Sequence, residues 1–417
     1  MNVLHVSSSD TQGGAAVAAM RLHRSLLEQG VNSVMWVQSK QSFDPTVTVM
    51  KGHNVGVMSQ AKAKVAQTVL RLQRSPNPVF HSLNLFPSGR IDAINASDAD
   101  IVHLHWVQNE MLSVKEIGNI EKPVVWTLHD AWPVCGAEHH SHIHGPSRSE
   151  HGYSADTRSP NHVGVDLDRW TWKRKMQYWT DVPDAYIAPS AWMAEVASKS
   201  ILGQQAHTIC EIPNMIDPET FRPINVDGMR ERFGLPSTGT VAVFGAVRPT
   251  SNVLKGFDLL APALQAVHDA GKTMTLGVFG ATDGPGASQF AYEPSYLGYI
   301  TNEADLALLY STADVVLVPS RIESFGLIAA EAQACGTPVV AFDHSGVRSV
   351  IVHEETGYLA QPFQATSFAQ GIAFCLCHAD RLGRAARQRA VERFRPEMVV
   401  QQHMDLYQKV LQRIGPG

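Results

Sequence analysis

Two carboxylates with seven residues between them carry the strongest chemical signal in this chain. Glu323 and Glu331 lie in RIESFGLIAAEAQACGTPVV, residues 321–340. The run before them, 313–319, is apolar and β-branched, the pattern of a short buried strand. Ser324, Phe325, Gly326 and Leu327 then open a helix, which Gly336 and Pro338 stop before a second apolar strand at 339–342. A strand, a glycine-bearing loop and a helix N-terminus make an anion site. Free backbone N–H groups and the positive end of the helix dipole point beyond the strand, and a diphosphate suits them. Glu331, about a turn into the helix, is placed for the vicinal hydroxyls of a ribose. Glu323, in the loop, is placed for hydroxyls of a second sugar. The segment reads as a cradle for a nucleotide sugar, against the plain alternative of a surface helix with two solvated carboxylates.

The elements that must position these groups follow from the rest of the pattern. At 417 residues the chain exceeds one ordinary core and fits two domains. Apolar runs alternate with amphipathic helical stretches throughout, which predicts an α/β protein with parallel sheets covered by helices on both faces. Expected strands fall at 2–6, 33–37, 101–105, 124–129 and 185–188 in the first half. In the second half they fall at 241–245, 275–279, 296–298, 315–318 and 339–342. Residues 213–239, rich in Pro, Gly and charge, read as a linker between a domain at 1–212 and a domain at 240–390. The arginine-rich end of the chain, 379–414, reads as one or two amphipathic helices. In open parallel sheets ligands bind beyond the carboxyl ends of strands, so each chemical motif should follow a strand.

Composition excludes several function classes. Apolar residues make up 44% and charged residues 18%, as in a soluble globular protein. The formal charge of −5 supplies no field for nucleic acid. The opening Met1-Asn2-Val3-Leu4-His5-Val6 starts a strand and lacks the basic and long apolar regions of a signal peptide. No run of 18 apolar residues exists to span a bilayer. Five scattered cysteines (Cys135, Cys210, Cys335, Cys375 and Cys377) fit reduced thiols and a cytoplasmic setting. No internal repeat and no low-complexity tract is present.

The Glu-x7-Glu element in this setting resembles the donor site of retaining GT-B glycosyltransferases, specifically the large GT4-type family. The resemblance covers essentially the whole chain and is strongest at 244–357 and 125–132. It implies a GT-B fold, two Rossmann-like domains facing a cleft, with the last helix, 391–417, crossing back to the first domain. It also implies transfer of a sugar from a nucleoside diphosphate to a glycan or lipid-linked glycan, of the kind used in bacterial cell-surface polysaccharide synthesis. No cofactor is implied beyond the nucleotide-sugar substrate, and no metal.

The remaining motifs take their roles from that resemblance and from their own chemistry. The first strand leads to Gly13-Gly14 at the start of a helix; there is no GxGxxG, but the pair permits close approach of backbone to a phosphate or sugar. A plain β-to-α turn has the same signature. In Val125-Trp126-Thr127-Leu128-His129-Asp130-Ala131-Trp132, the family places a histidine near the transferred sugar. A neutral His129 suits a sugar hydroxyl, and Asp130 is positioned to fix its tautomer or to touch the acceptor. His103 and His105 end a neighbouring strand and are read as cleft wall, His105 on the acceptor side. Gly245 ends the first strand of the second half, with Arg248 and then Lys255 following. The family sets an arginine and a lysine here on the donor diphosphate, whose charge grows as the glycosidic bond breaks. Tyr299 sits in a loop that the family packs against the nucleobase. Glu323 is then a sugar-binding group, and no covalent nucleophile is evident.

Two segments are open in the sequence. Residues 135–151 are dense in histidine, and related bacterial sequences carry several cysteines here that suggest a structural metal. This chain keeps only Cys135, which departs from that pattern and favours a mobile loop over a metal site. Between Asp44 and Asp92 no acidic residue occurs, while Lys51, Lys62, Lys64, Arg71, Arg74 and Arg90 are basic. A helix at 60–73 with Val65, Val69, Leu70 and Leu72 near one face suits the anionic inner surface of the cytoplasmic membrane, or plain solvent. The rival activities are a GT-B nucleotide-sugar epimerase and a non-catalytic nucleotide-sugar-binding subunit.

Overall fold

The computed structural model describes residues 1–50, 57–141, 147–225, 228–245, 253–284 and 290–415. The chain forms two compact units, one of Met1–Ile212 with Val399–Gly417 and one of Pro213–Met398.

Unit one is built on a seven-stranded sheet. Its order is Val47–Val49, Asn32–Ser39, Asn2–Ser9, Ile101–Leu104, Val124–Thr127, Ala185–Ala188 and Thr208–Glu211, and every neighbouring pair is parallel. The strands alternate their side chains between two faces of different chemistry. One face, with Leu4, Val6, Val102, Leu104, Val124, Trp126 and Tyr186, belongs to a single apolar core. His5 and His103, register partners on adjacent strands, occupy the other face. Helix Gly14–Glu28 adds His23 to that side, 5.8 Å from His5 between ring centroids. Helix Pro396–Ile414 adds His403, 5.9 Å from His103, and Tyr407.

Unit two has a six-stranded, wholly parallel sheet. Its order is Pro294–Gly298, Thr275–Phe279, Val241–Gly245, Val315–Val318, Val339–Phe342 and Gly357–Ala360. Both faces are covered, which is why the central strands read as continuous apolar runs. Val243, Val316, Val318, Val339 and Ala341 pack with the small residues Ala329, Ala330, Ala332 and Ala334 of helix Leu327–Ala334. Ala242, Phe244, Val315, Leu317, Val340 and Phe342 pack on the opposite side with Leu260 and Leu264 of helix Phe257–Asp269.

The stretch expected to be a linker, 213–239, is part of unit two: Ile216, Phe221 and Leu235 are buried in its core. The helix expected at 60–73 runs Val57–Leu70, and Gln73–Arg74 is a short strand paired with Val163–Gly164. Val69 and Leu70 pack inward against Leu83, Ala137 and Leu167, so the apolar side chains grouped from the sequence do not form one outward face. All five cysteines are free. Among the described residues no helix is long and apolar enough to cross a membrane.

Candidate active site

In unit two the loop after strand Val315–Val318 has the form its sequence predicts. Gly326 is the N-cap of helix Leu327–Ala334 with a left-handed φ of 100°, which only glycine adopts without strain, and no side chain caps the helix. The first helical bond runs from the Ala330 N–H to the Gly326 carbonyl at 3.0 Å. The N–H groups of Leu327, Ile328 and Ala329 therefore stand outside the helical ladder, as an anion site requires. Glu331, one turn in, is only 5% exposed, and its Oε2 accepts a 3.0 Å bond from the Tyr310 hydroxyl. Phe325 lies in the core, edge-on to Phe394, and supports the loop from within.

Glu323 and Lys255 meet in a 2.7 Å ion pair. Glu323 is fixed by backbone contacts, and the chain beside Lys255 is braced at Leu254 and Gly256. The Glu323 N–H donates to Ser345 Oγ at 2.9 Å and its carbonyl accepts from the Gly346 N–H at 2.7 Å. A Cβ on Gly346 would stand 2.2 Å from the Ser324 carbonyl oxygen, so this brace needs glycine. On the other side, the Arg321 N–H donates to the Leu254 carbonyl at 2.7 Å and its guanidinium forks onto Asp258 at 2.7 Å through both nitrogens. That guanidinium holds the Asp258 carboxyl below its ordinary pKa. Gly256, whose Cβ would meet the Pro319 carbonyl at 1.9 Å, closes the joint. Arg248, the expected partner of Lys255, lies outside the described residues. At Gly245, the last residue of its strand, the Phe279 ring fills the place of a side chain, 2.2 Å from a built Cβ, so this position needs glycine. Tyr299 is 59% exposed.

In unit one, His129 follows strand Val124–Thr127 and is partly exposed. Its Nε2 faces His105 Nδ1 at 3.0 Å, and His105 Nε2 faces His5 Nδ1 at 2.9 Å. Burial pushes the His129 pKa down to about 4 against the opposing pull of Asp130. Asp130 does not fix the His129 tautomer, as the sequence suggested it would. Its oxygens accept from Trp106 Nε1 at 2.8 Å and the Trp132 N–H at 3.0 Å, and face His139 Nδ1 at 2.6 Å. Burial alone would raise its pKa, but His139 and these donors outweigh burial and bring it to about 2. Lys175, fully buried, holds the following turn: its Nζ donates to the carbonyls of Trp132, Cys135 and Gly136 and lies 3.5 Å from the centroid of the Trp132 ring. Gly13, with φ 84°, is the N-cap of helix Gly14–Glu28 and has open space where a side chain would point.

Among the described residues, two sets of side chains of metal-ligating type bring their atoms within 4.8 Å, His5 with His103 and His105, and His162 with Asp166 and Asp168. In the first set the imidazoles bond to one another or to the hydroxyls of Tyr407 and Thr127. In the second, Arg148 forks onto Asp166 at 2.6 and 3.1 Å, and Gln73 donates to Asp168 at 2.9 Å. Part of the histidine-dense segment joins this polar cluster: Glu138, pushed up to about 8 by burial and then by Asp168, is bonded by the Tyr153 hydroxyl. His142 and His144 lie outside the described residues.

Residues 12–220, half of the chain, match the description Glycosyltransferase Family 4. The chain belongs to glycosyltransferase family 4. Residues 293–389 match Glycosyl transferases group 1. Over 251 residues the chain is 32% identical to a D-inositol 3-phosphate glycosyltransferase of Xylanimonas cellulosilytica, covering 55% of this chain and 58% of that one. It spans about half the length of the curated relatives it matches. Sucrose-phosphate synthase from Thermosynechococcus elongatus superposes with a TM-score of 0.69 at 18% identity, covering 99% and 100% of the two chains. Anabaena HepE in complex with UDP-glucose gives 0.64 at 17% identity, covering 98% and 100%. These likenesses show the GT-B fold.

In this family 4 chain the structure brings Lys255, Glu323 and the open N-terminus of helix Leu327–Ala334 together in unit two. It brings His129, His105 and Asp130 together in unit one. The sequence reading missed these groups that hold them: Tyr310, Arg321, Lys175 and His5. Of these, only Arg321 carried a local signal, as a basic residue two positions before Glu323.

Proposed function

We propose that this protein is a retaining, metal-independent glycosyltransferase that moves a sugar from a nucleoside diphosphate to a glycan or lipid-linked glycan in cell-surface polysaccharide synthesis. The observation that carries the donor half is the 2.7 Å pair of Lys255 and Glu323 beside an uncapped helix N-terminus. On this reading the diphosphate takes Lys255, Arg248 and the N–H groups of Leu327, Ile328 and Ala329, which stabilise the growing charge of the leaving group. Glu323 accepts from the transferred sugar and Glu331 from the ribose. His129 donates to a sugar hydroxyl as a neutral imidazole. Gly13, Gly14 and Ser324 allow backbone approach to the donor, and Gly245, Phe325 and Tyr299 shape its surroundings. Retention follows the family, and a front-face route needs only this cationic clamp and positioning. A role at an anionic membrane surface is supported by Arg71, Arg74 and Leu72, exposed beside Val163 of the adjoining strand and Val165 just after it.

Thermal stabilisation by a panel of nucleotide sugars tests the donor assignment, because a bound ligand raises stability by mass action. One nucleotide sugar should stabilise the wild type and not Lys255→Ala. Product analysis then separates transfer to a glycan, to inositol phosphate, or to water. No stabilisation by any sugar nucleotide, or epimerisation without an acceptor, overturns the reading.

A further inference from the structure

We infer that His5 and His105 are positioning residues that lock His129 in one tautomer, with its proton on Nδ1, so that it meets its ligand as a hydrogen-bond donor. The inference rests on the reading of His129 as a sugar-binding group, but its main test does not.

The argument starts from proton counting. A neutral imidazole carries one N–H and one lone pair. The contacts His129 Nε2 to His105 Nδ1, at 3.0 Å, and His105 Nε2 to His5 Nδ1, at 2.9 Å, each need one proton between two nitrogens. His105 has only one proton to give. If it lies on Nδ1, it is donated to a bare His129 Nε2. The His105 Nε2 is then bare and accepts from a His5 Nδ1–H. If it lies on Nε2, every tautomer in the chain reverses. Neutral rings therefore have two states, and they switch together.

The far end decides between the two states. His5 Nε2 is buried and has no hydrogen-bond partner among the described residues. In the first state this atom is a bare lone pair; in the second it is an N–H with no acceptor. Orphaned buried N–H groups are rarer in proteins than orphaned acceptors. The first state wins, and it leaves the single proton of His129 on Nδ1. Among the described residues that atom has no hydrogen-bond partner, and His129 is partly exposed. Neighbouring groups cannot substitute. His103 spends both nitrogens on Tyr407 and Thr127, at 2.7 Å each, and His23 spends both on Ser33 and Thr46, also at 2.7 Å. Asp130 is committed elsewhere. Burial lowers the pKa of all three linked histidines, so the chain holds no extra proton at neutral pH.

The consequence is a preference in what His129 recognises. A fixed Nδ1–H suits an acceptor oxygen on the sugar or its ring and rejects a group that can only donate. It also prevents His129 from acting as a base at that nitrogen.

The test is long-range ¹H–¹⁵N correlation on histidine-labelled, ligand-free protein at pH 7, which reports the tautomer of each ring. The wild type should show His129 protonated on Nδ1. In His105→Phe the lock is gone and His129 should shift to the Nε2–H form that free histidine favours. His105→Gln can donate to His129 and accept from His5, and should restore the Nδ1–H form. Turnover should fall about tenfold in His105→Phe and recover in His105→Gln, the scale of one lost orienting hydrogen bond. An Nε2–H or doubly protonated His129 in the wild type overturns the lock, whatever the variants do. An unchanged His129 in a folded His105→Phe protein does the same. A tautomer that switches without any change in turnover leaves the lock standing as an observation but overturns its role in recognition, and with it the sugar-binding role of His129.

Discussion

The ion pair between Lys255 and Glu323 makes the donor site testable by one isosteric change, Glu323→Gln. If Lys255 is the cation of the diphosphate, a bound diphosphate competes with Glu323 for it. At the observed 2.7 Å, two unit charges attract by about 6 kcal/mol at an effective dielectric of 20 and about 1.5 kcal/mol in water. Both side chains are partly exposed, so solvation and side-chain entropy reduce the net value to about 0.5–1 kcal/mol. That is the part of diphosphate binding that Glu323 opposes. Glu323→Gln should therefore tighten a free nucleoside diphosphate by about two- to fivefold. The intact sugar nucleotide should behave in the opposite way. It loses a charged acceptor worth about 1.5–3 kcal/mol, so that after the gain at Lys255 it binds more weakly by about 1–2 kcal/mol. Calorimetry with both ligands at low salt reads the two effects, and added salt should shrink the gain for the diphosphate. The melting temperature should move by no more than about 3 °C. Unchanged or weakened diphosphate binding in the variant refutes the competition and removes Lys255 from the phosphate site.

Further outcomes follow from the same geometry. Arg248→Ala and Lys255→Ala should each cost about 2–4 kcal/mol in kcat/KM with folding preserved; activity within a few-fold of wild type for both sinks the clamp. Glu331→Ala should weaken the nucleoside diphosphate itself, and Tyr310→Phe, which removes the donor to Glu331 Oε2, should weaken it by about 1 kcal/mol in calorimetry; unchanged binding in both removes Glu331 from the ribose. Turnover should survive EDTA, and complete loss restored by Mg²⁺ or Mn²⁺ counts against the cationic-clamp mechanism. Partial loss restored by Zn²⁺ would point to the segment after Cys135. Stability should fall with pH between about 6.5 and 4, because His23 and His403 titrate near 4 in the folded chain, so the folded state binds fewer protons than the unfolded state there. Each contributes about 3 kcal/mol that is present above 6.5 and lost on acidification, and a melting temperature flat down to pH 4.5 refutes their burial as neutral rings.

The sequence showed the central strands well and the edges of the sheets poorly, for a physical reason. Ala185–Ala188, Val241–Gly245, Thr275–Phe279, Val315–Val318 and Val339–Phe342 are covered on both faces and must be apolar along their whole length. Three strands absent from the sequence reading are sheet edges: Val47–Val49, Thr208–Glu211 and Gly357–Ala360. An edge strand is paired on one side only and carries little hydrophobic signal; Thr-Ile-Cys-Glu does not announce itself. The 213–239 stretch misled in the opposite direction. Its prolines and charges mark irregular backbone, yet Ile216, Phe221 and Leu235 tether it to unit two. Irregular chain and free linker have the same composition.

At the candidate site, legibility ended where contacts became long-range. Glu323, Gly326 and Glu331 were readable because one strand–loop–helix contains them all. The residues that decide how His129 behaves are 24 and 124 positions away in sequence, at His105 and His5, and only sheet register brings them into line. From the sequence alone, the Asp130 that follows His129 was the natural candidate to orient it. The structure gives that carboxylate to His139 and Trp106 instead, and gives the orientation of His129 to a row of imidazoles on the polar face of the sheet. Tyr407, 304 positions from His103, fixes another ring of the same layer from the C-terminal helix. A layer of this kind would be an expensive way to fill a core, since each ring must be kept neutral and nearly every nitrogen paired. An aliphatic layer of equal volume would be simpler to build and more stable in acid. What the imidazoles supply that valines cannot is a defined proton position at His129, and it is on that atom that the chemistry of unit one should be judged.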